Sequence, residues 1–382
     1  MPQHKKQHYV PKAFMKRFSD NQNIYLYRIN ENEILPNSVP YDNQCYINYF
    51  YGKDLTVENQ LHNYETIYGN ICDKIIDGIS LNDEEKRNIK NIILLQYLRT
   101  ENKVKNHRNM MFGVFVEMIP VLFYLEDGRE LNYFETVQLA KNLMDKESQS
   151  DVSTRHVSIA TKNFDHLDDL KLLIITNLTD QEFIGSDNPV IIDNKYQPEN
   201  GLGFDCGGVL FFVAISPKKA LLMLDSKMYP KAEVLEQFFV ENIDEVNKIN
   251  EFIYFNSSNI IFSKSKETLK SLYEILDRKY VDRFLRKICE EKGMTDPILQ
   301  NIRILRIKQS KIFKSNKITP RSLVSLHGID LKILEIDDSF KKFSGNIQYV
   351  FFRNSTYKDI VWKLSLWGEE FCECLKKYYS YL

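Results

Sequence analysis

Four short stretches of this chain carry side chains able to move protons or hold ions. Near the amino end, His4 and His8, two of only seven histidines, stand beside Lys5, Lys6, Lys12 and a Pro11 break, with an aromatic-basic run ending at Phe18. An imidazole titrates near pH ~6.5, which suits His8 to general acid or base work; a histidine that merely packs a docked arm has the same sequence. Glu58, His62 and Glu65 fall at i, i+4 and i+7, on one face of a helix. Carboxylates in that pattern suit Mg²⁺ or Mn²⁺, and equally make a solvated polar face. Gln96, Arg99 and Lys103 follow at i, i+3 and i+7. The Arg99 guanidinium offers a planar fork for phosphate or carboxylate, with Gln96 spaced to orient it or a water. A buried Arg99–Glu65 pair locking two helices needs the same residues. Ser186-Asp187-Asn188-Pro189 ends an apolar strand approach. There Asp187 is suited to a metal ligand or general base, and also to an Asx turn that caps the strand.

The elements that must position these groups are read from periodicity. Asn23–Ile29 reads as a strand. Leu55 to Asp77 has helical period, and Ser80-Leu-Asn-Asp-Glu-Glu supplies an N-cap and acidic first turn for a helix from Asp83 through Lys105. Met110–Leu125 reads as a buried helix, and another follows over Leu131–Glu147. Leu170–Thr176 and Glu182–Ile192 read as one β-hairpin, Val209–Ser216 and Ala220–Leu224 as a second. Helix is expected again over Val234–Ile253, a strand at Asn259–Phe262, and two short helices within 266–292. Tyr349–Phe352 has the look of an edge strand and Ile360–Tyr379 of a helix. The fold class is α+β: an N-terminal helical region packed on a central, mostly antiparallel β-sheet, with a mixed C-terminal tail. The regions are 1–150, mainly helical with a docked arm; 151–265, β-rich and completing the same core; and 266–382, mixed.

Composition narrows the classes. The 382 residues include 51 Lys plus Arg and 52 Asp plus Glu, for a net charge of −1, which speaks against a whole-surface nucleic-acid binder. A local basic run, Arg303, Arg306, Lys308, Lys311, Lys314, Lys317 and Arg321, is spaced to track a phosphate backbone. The glycines from Gly201 to Gly208 lack the Lys-Ser/Thr ending of a phosphate loop. Six cysteines without metal-knuckle spacing read as free thiols in a reducing compartment. Apolar runs such as Val209–Ile215 fall short of the ~20 residues that span a bilayer. A cytoplasmic protein without a membrane partner is expected, and the Lys, Asn, Ile and Tyr richness is that of an AT-rich bacterial genome.

Several of these pieces occur in a telling order: Gln7-His-Tyr-Val-Pro-Lys-Ala-Phe-Met-Lys-Arg-Phe18, the spaced Glu58 and Glu65, Gln96-Tyr-Leu-Arg-Thr100, Ser186-Asp-Asn-Pro-Val190, Ser216-Pro217, then Asn247 and Asn250 ahead of Ile260-Ile-Phe-Ser263. Together they resemble the domain of unknown function 4238 family, over roughly residues 3–265. That family often has Pro after its Arg-Thr pair, where Glu101 stands here. The resemblance implies site positions and no activity. Combined with the residue chemistry, the expectation is a metal-assisted phosphodiester or nucleotide-phosphate hydrolase of nuclease-like type. In it Glu58, Glu65 and Asp187 hold Mg or Mn, His8 is the general acid or base, Arg99 stabilises phosphate charge and Gln96 orients it. By analogy alone it extends to a phage-defence or toxin-type effector. The alternative is a non-catalytic sensor or interaction domain that binds nucleic acid, a nucleotide or a partner protein, with the same groups as buried scaffold. Convergence of His8, Glu65, Arg99 and Asp187 is what both readings turn on.

Overall fold

The structure, a computed structural model, describes residues 5–197, 203–280, 329, 331–353 and 368–379. The basic run at 303–321, His4, and the tail from 354 to 367 lie outside the described residues. The chain opens with β1 (Lys6–His8) and α1 (Lys12–Lys16), followed by β2 (Asn23–Arg28), β3 (Glu33–Ile34), β4 (Val39–Pro40) and β5 (Tyr46–Asn48). Five helices come next: α2 (Thr56–Ile76), α3 (Asp83–Leu98), α4 (Glu101–Asp127), α5 (Tyr133–Asp145) and α6 (Gln149–Lys162). Strands β6 (Lys171–Asn177), β7 (Gly185–Ser186), β8 (Ile191–Asn194), β9 (Val209–Ala214) and β10 (Lys219–Leu224) follow. After them come α7 (Pro230–Glu233), β11 (Gln237–Val240), α8 (Ile243–Asn256), β12 (Ile260–Ser263), α9 (Lys266–Tyr280), α10 (Asp338–Lys341) and α11 (Glu369–Tyr379). The class is α+β.

Among the described residues three sheets organise the strands. One runs β11-β6-β10-β9-β8, antiparallel except for β11 beside β6; a second runs β3-β2-β12-β7, with β4 also on β2; β1 and β5 form a third. One hydrophobic core draws on all three regions of the sequence, from Phe14 and Phe18 through Phe212 and Leu222 to Phe340 and Phe371. Strands β9 and β10 are almost wholly buried, which is why they read as continuous apolar runs rather than alternating ones.

Several expected elements differ, each for a local reason. Leu170–Thr176 and Glu182–Ile192 do not form a hairpin. Pro189 supplies no amide to a ladder, and the second stretch splits into β7, paired with β12, and β8, paired with β9. The strand β6 pairs instead with β10 and β11. Gln237–Val240, expected in a helix, is the parallel edge strand β11; Asn242 then accepts a bond from the Asp244 amide at 2.9 Å and starts α8 at Ile243. A short aromatic run suits either period. The N-cap of α3 is Asn82 rather than Ser80, in a capping box with Glu85. Of the two short helices expected within 266–292, one is α9 and the rest of that stretch lies outside the described residues, whereas Ile347–Tyr349 is a 3₁₀ turn.

The helix expected from Asp83 through Lys105 breaks. Arg99 caps α3, and Thr100 turns extended at ψ 152° to begin α4, with Glu101 at its first position. That position takes proline well, since its N–H lacks a helical partner, and takes glutamate well beside the positive helix end. Lys103 therefore leaves the Gln96–Arg99 helix and bonds the Tyr97 hydroxyl. The stretch Met110–Leu125, expected to be buried, is helical but largely exposed, with only Ile119 of its large side chains fully inside. Among the described residues α4 is one helix long and apolar enough, by length and composition, to cross a membrane.

Candidate functional site

The amino-terminal arm is held by strand pairing and by one buried amide. The side chain of Gln7 donates to the Gly52 carbonyl at 2.8 Å and accepts from the Tyr51 amide at 2.6 Å. This fixes His8 next in line. The His8 ring bonds the Asp42 carbonyl through Nε2 at 3.0 Å; a carbonyl only accepts, so Nε2 carries the proton and the neutral ring keeps its lone pair on Nδ1. Burial pulls the His8 pKa below its ordinary value, and the nearby charges of Lys12 and Arg99 pull the same way, against the Asp42 carbonyl and Glu65.

The centre of the site is Arg99, where α3 ends. Its Nε donates to Gln96 Oε1 at 2.8 Å and its Nη2 to Glu65 Oε1 at 2.8 Å, joining α3 to α2. The Gln96 amide reaches on to the Tyr9 carbonyl at 3.0 Å, so the arm, α2 and α3 meet on one guanidinium. His156, on α6, bonds the Leu98 carbonyl at 2.9 Å and steadies the helix end just before Arg99. Burial works against the charge on Arg99, which is 2% exposed, but Tyr51, Glu65 and Glu58 outweigh it and raise its pKa. Arg99 Nη1 makes no hydrogen bond among the described residues.

Two further groups complete the cluster. The Tyr51 hydroxyl is fully buried and has no hydrogen-bond partner among the described residues. Burial raises its pKa, with Arg99 opposing and Glu65 and Glu58 adding to the rise. Glu58 is half-buried, and its carboxyl is pushed up to about 7, by burial first and the charge of Glu65 second, with Arg99 and Lys12 opposing. The loop carrying Tyr51 is unusually strained: Cys45, Tyr49 and Leu55 all take positive φ, near 52°, 56° and 60°. Each such non-glycine residue costs about 1–2 kcal/mol, and strain of this kind gathers where geometry serves function. A cavity of about 20 Å³, room for a single water, sits beside Arg99, Gln96 and Glu65, with Tyr64, Phe14 and Ile92 among its walls.

The sequence candidates thus divide. His8, Glu58, Glu65, Gln96 and Arg99 come together. His62 does not; it shares their face of α2 but stands exposed at its solvent edge. Asp187 is engaged elsewhere: its two oxygens accept the amides of Ser258 (2.9 Å), Asn259 (2.7 Å) and Ile260 (3.3 Å). Gly185 brings it there: in register with Phe262, it packs so tightly on that ring that a Cβ would come within 2.2 Å. Asp187 therefore clasps the start of β12. The metal set Glu58, Glu65 and Asp187 is not assembled, and no group of three or more His, Cys, Asp or Glu placed to hold an ion occurs among the described residues. Glu65 is committed to Arg99 and Asp187 to backbone amides, and the guanidinium and phenol donors left over suit an anion. Gln7 and Tyr51 were not singled out by sequence. Gln7 sits inside the Gln-His-Tyr-Val-Pro element, but nothing in the sequence marks Tyr51 among 22 tyrosines.

A family model described as a protein of unknown function, DUF4238, matches residues 6–267, more than half of the chain. No curated protein and no solved structure matches it.

Proposed function

We propose, for a chain that belongs to the DUF4238 family, that the cluster around Arg99 binds a phosphate ester and hydrolyses it by metal-independent acid–base chemistry. The observation that carries this reading is the buried Tyr51 hydroxyl, which has no partner among the described residues, in the field of a guanidinium that has an N–H unused by them. An unpaired buried donor costs about 1–3 kcal/mol, and an anionic oxygen removes that cost. His8, its pKa lowered by burial, is the proton acceptor, and Glu58, raised to about 7, still carries its proton in about half the molecules at neutral pH, which sets their roles. His8 Nδ1 takes the proton from a water as its oxygen attacks phosphorus. The bond to the leaving oxygen breaks, and Glu58 delivers its proton there. Arg99 and Tyr51 stabilise charge on the non-bridging oxygens, and Gln96 and Glu65 hold Arg99 in place. A phosphodiester or nucleotide phosphate is the substrate class; a phage-defence or toxin-type role rests on analogy alone.

The test incubates the purified full chain with RNA, DNA and nucleotides in EDTA. Turnover that falls at least ~100-fold in His8→Gln and Arg99→Lys supports the reading. Absence of product, or product only with added Mg²⁺ or Mn²⁺, overturns it.

One observation favours a second reading. Arg99 is almost fully buried and its cavity admits about one water, as suits a scaffold inside a sensor or interaction domain. There Arg99→Ala unfolds the protein by about 3–5 kcal/mol, since it strands Glu65, and no substrate is turned over.

A further inference from the structure

Two imidazoles meet outside the Arg99 cluster, where the first turns of α4 pack on α6. The rings of His107 on α4 and His156 on α6 stand edge to face, with centroids 5.0 Å apart and planes at 74°. His156 is buried, and its Nδ1 donates at 2.9 Å to the carbonyl of Leu98, the last residue of α3. A carbonyl only accepts, so the neutral ring keeps its lone pair on Nε2. His107 Nε2 is buried without a partner among the described residues, and no carboxylate among them pairs with either ring. We propose that these two histidines form an acid-sensitive latch: neutral, they hold the base of α4 on α6 and the end of α3, and with both rings protonated they let α4 go.

The surrounding charges set the direction. Lys103, one turn before His107 on α4, and Arg155, beside His156 on α6, both bring positive charge to the His156 ring. Each is held in place, Lys103 by the hydroxyl and ring face of Tyr97 on α3, and Arg155 by the Glu147 carboxylate. Arg108, next to His107, is spent on the Glu147 and Met144 carbonyls. The Leu98 carbonyl alone favours a charged His156, at a helix end that welcomes a cation. Burial, with His107, Lys103 and Arg155, outweighs it, and the His156 pKa lies below its ordinary value. Closure is therefore complete above pH ~6.5, the ordinary value, and is lost as pH falls through the lowered one. Two imidazolium rings 5.0 Å apart repel each other beside two further cations, and parting them moves α4 against α6. Each proton bound on opening raises the open population up to ~10-fold per pH unit.

Amide hydrogen exchange of the full chain at about pH 7.5 and about pH 5.5, corrected for intrinsic rates, tests the proposal. No substrate enters the measurement, so its outcome is separate from turnover at Arg99. Protection over residues 104–110 and 153–160 is expected to fall at least ~10-fold at the lower pH, while β9 and β10 stay protected. In His107→Gln and in His156→Asn the fall is expected to shrink to less than about twofold. Asparagine at 156 carries an amide that can still reach the Leu98 carbonyl, and His107→Gln removes no bond among the described residues, so the second variant carries the test if the first does not fold. Exchange that is the same at both pH values overturns the proposal. So does a fall of equal size in His107→Gln, or one spread evenly over the chain.

Discussion

Replacing Tyr51 with phenylalanine separates an anion site from a scaffold because the two predict opposite signs. The substitution removes one buried oxygen that bonds nothing among the described residues and leaves the ring that packs on Phe50, centroids 4.9 Å apart. In the ligand-free protein, deleting an unsatisfied hydroxyl relieves about 1–3 kcal/mol of desolvation. Tyr51→Phe is therefore expected to unfold at higher urea, with a melting temperature raised by ~1 °C per kcal/mol in a chain of this size. Phosphate binding moves the other way. A hydrogen bond to a charged group contributes about 1.5–3 kcal/mol, so affinity for inorganic phosphate or a nucleotide falls roughly 10- to 150-fold. The assay is urea unfolding followed by tryptophan fluorescence, with and without phosphate, alongside calorimetric titration. A variant that is less stable yet binds phosphate unchanged refutes the reasoning, because the hydroxyl then has a partner inside the fold.

Three further outcomes are expected. The pH–rate profile is a bell whose acidic limb reports His8, below its ordinary value, and whose alkaline limb reports Glu58 at about 7; His8→Gln flattens the first limb and Glu58→Gln the second. The same raised carboxyl makes folding bind a proton, so stability falls as pH rises from about 4.5, its ordinary value, to about 7, and Glu58→Gln removes that slope in urea titrations taken across the range. His8 acts oppositely: its contribution is present above its unfolded pKa of ~6.5 and is lost as pH falls through that value. Asp187→Asn withdraws a charged acceptor from three backbone amides and is expected to destabilise by about 2–4 kcal/mol while activity per folded molecule stays within twofold; a large loss of turnover in the folded variant returns Asp187 to the chemistry.

Residues that speak through local periodicity were legible in the sequence. Helices α2 and α3 follow from their apolar stripes, and the β9–β10 hairpin from two apolar runs around Ser216-Pro217. The Glu65–Arg99 pair follows as well, since two helices on a short connection pack antiparallel. Strand partners were not legible: alternation shows that Leu170–Thr176 is extended but not that β11 will lie parallel beside it. Exposure of α4 was hidden too, because an apolar helix has one sequence whether it faces its own core or something outside. The loss of Asp187 from the site has a similar origin. Ser-Asp-Asn-Pro serves a clasp and a ligand alike, and only the position of Ser258–Ile260 tells them apart. Tyr51 was beyond reach, since its role depends on what its hydroxyl fails to touch.

The break between α3 and α4 has a mechanical consequence. Only Thr100 separates Arg99, pinned by Gln96 and Glu65, from a 27-residue rod whose far half is largely exposed. At 1.5 Å per residue that rod is about 40 Å long. Whatever grips its far end works with a long lever arm about a fulcrum next to the arginine, so a small swing at the tip becomes a twist at the one residue where the amino-terminal arm, α2 and α3 are tied together.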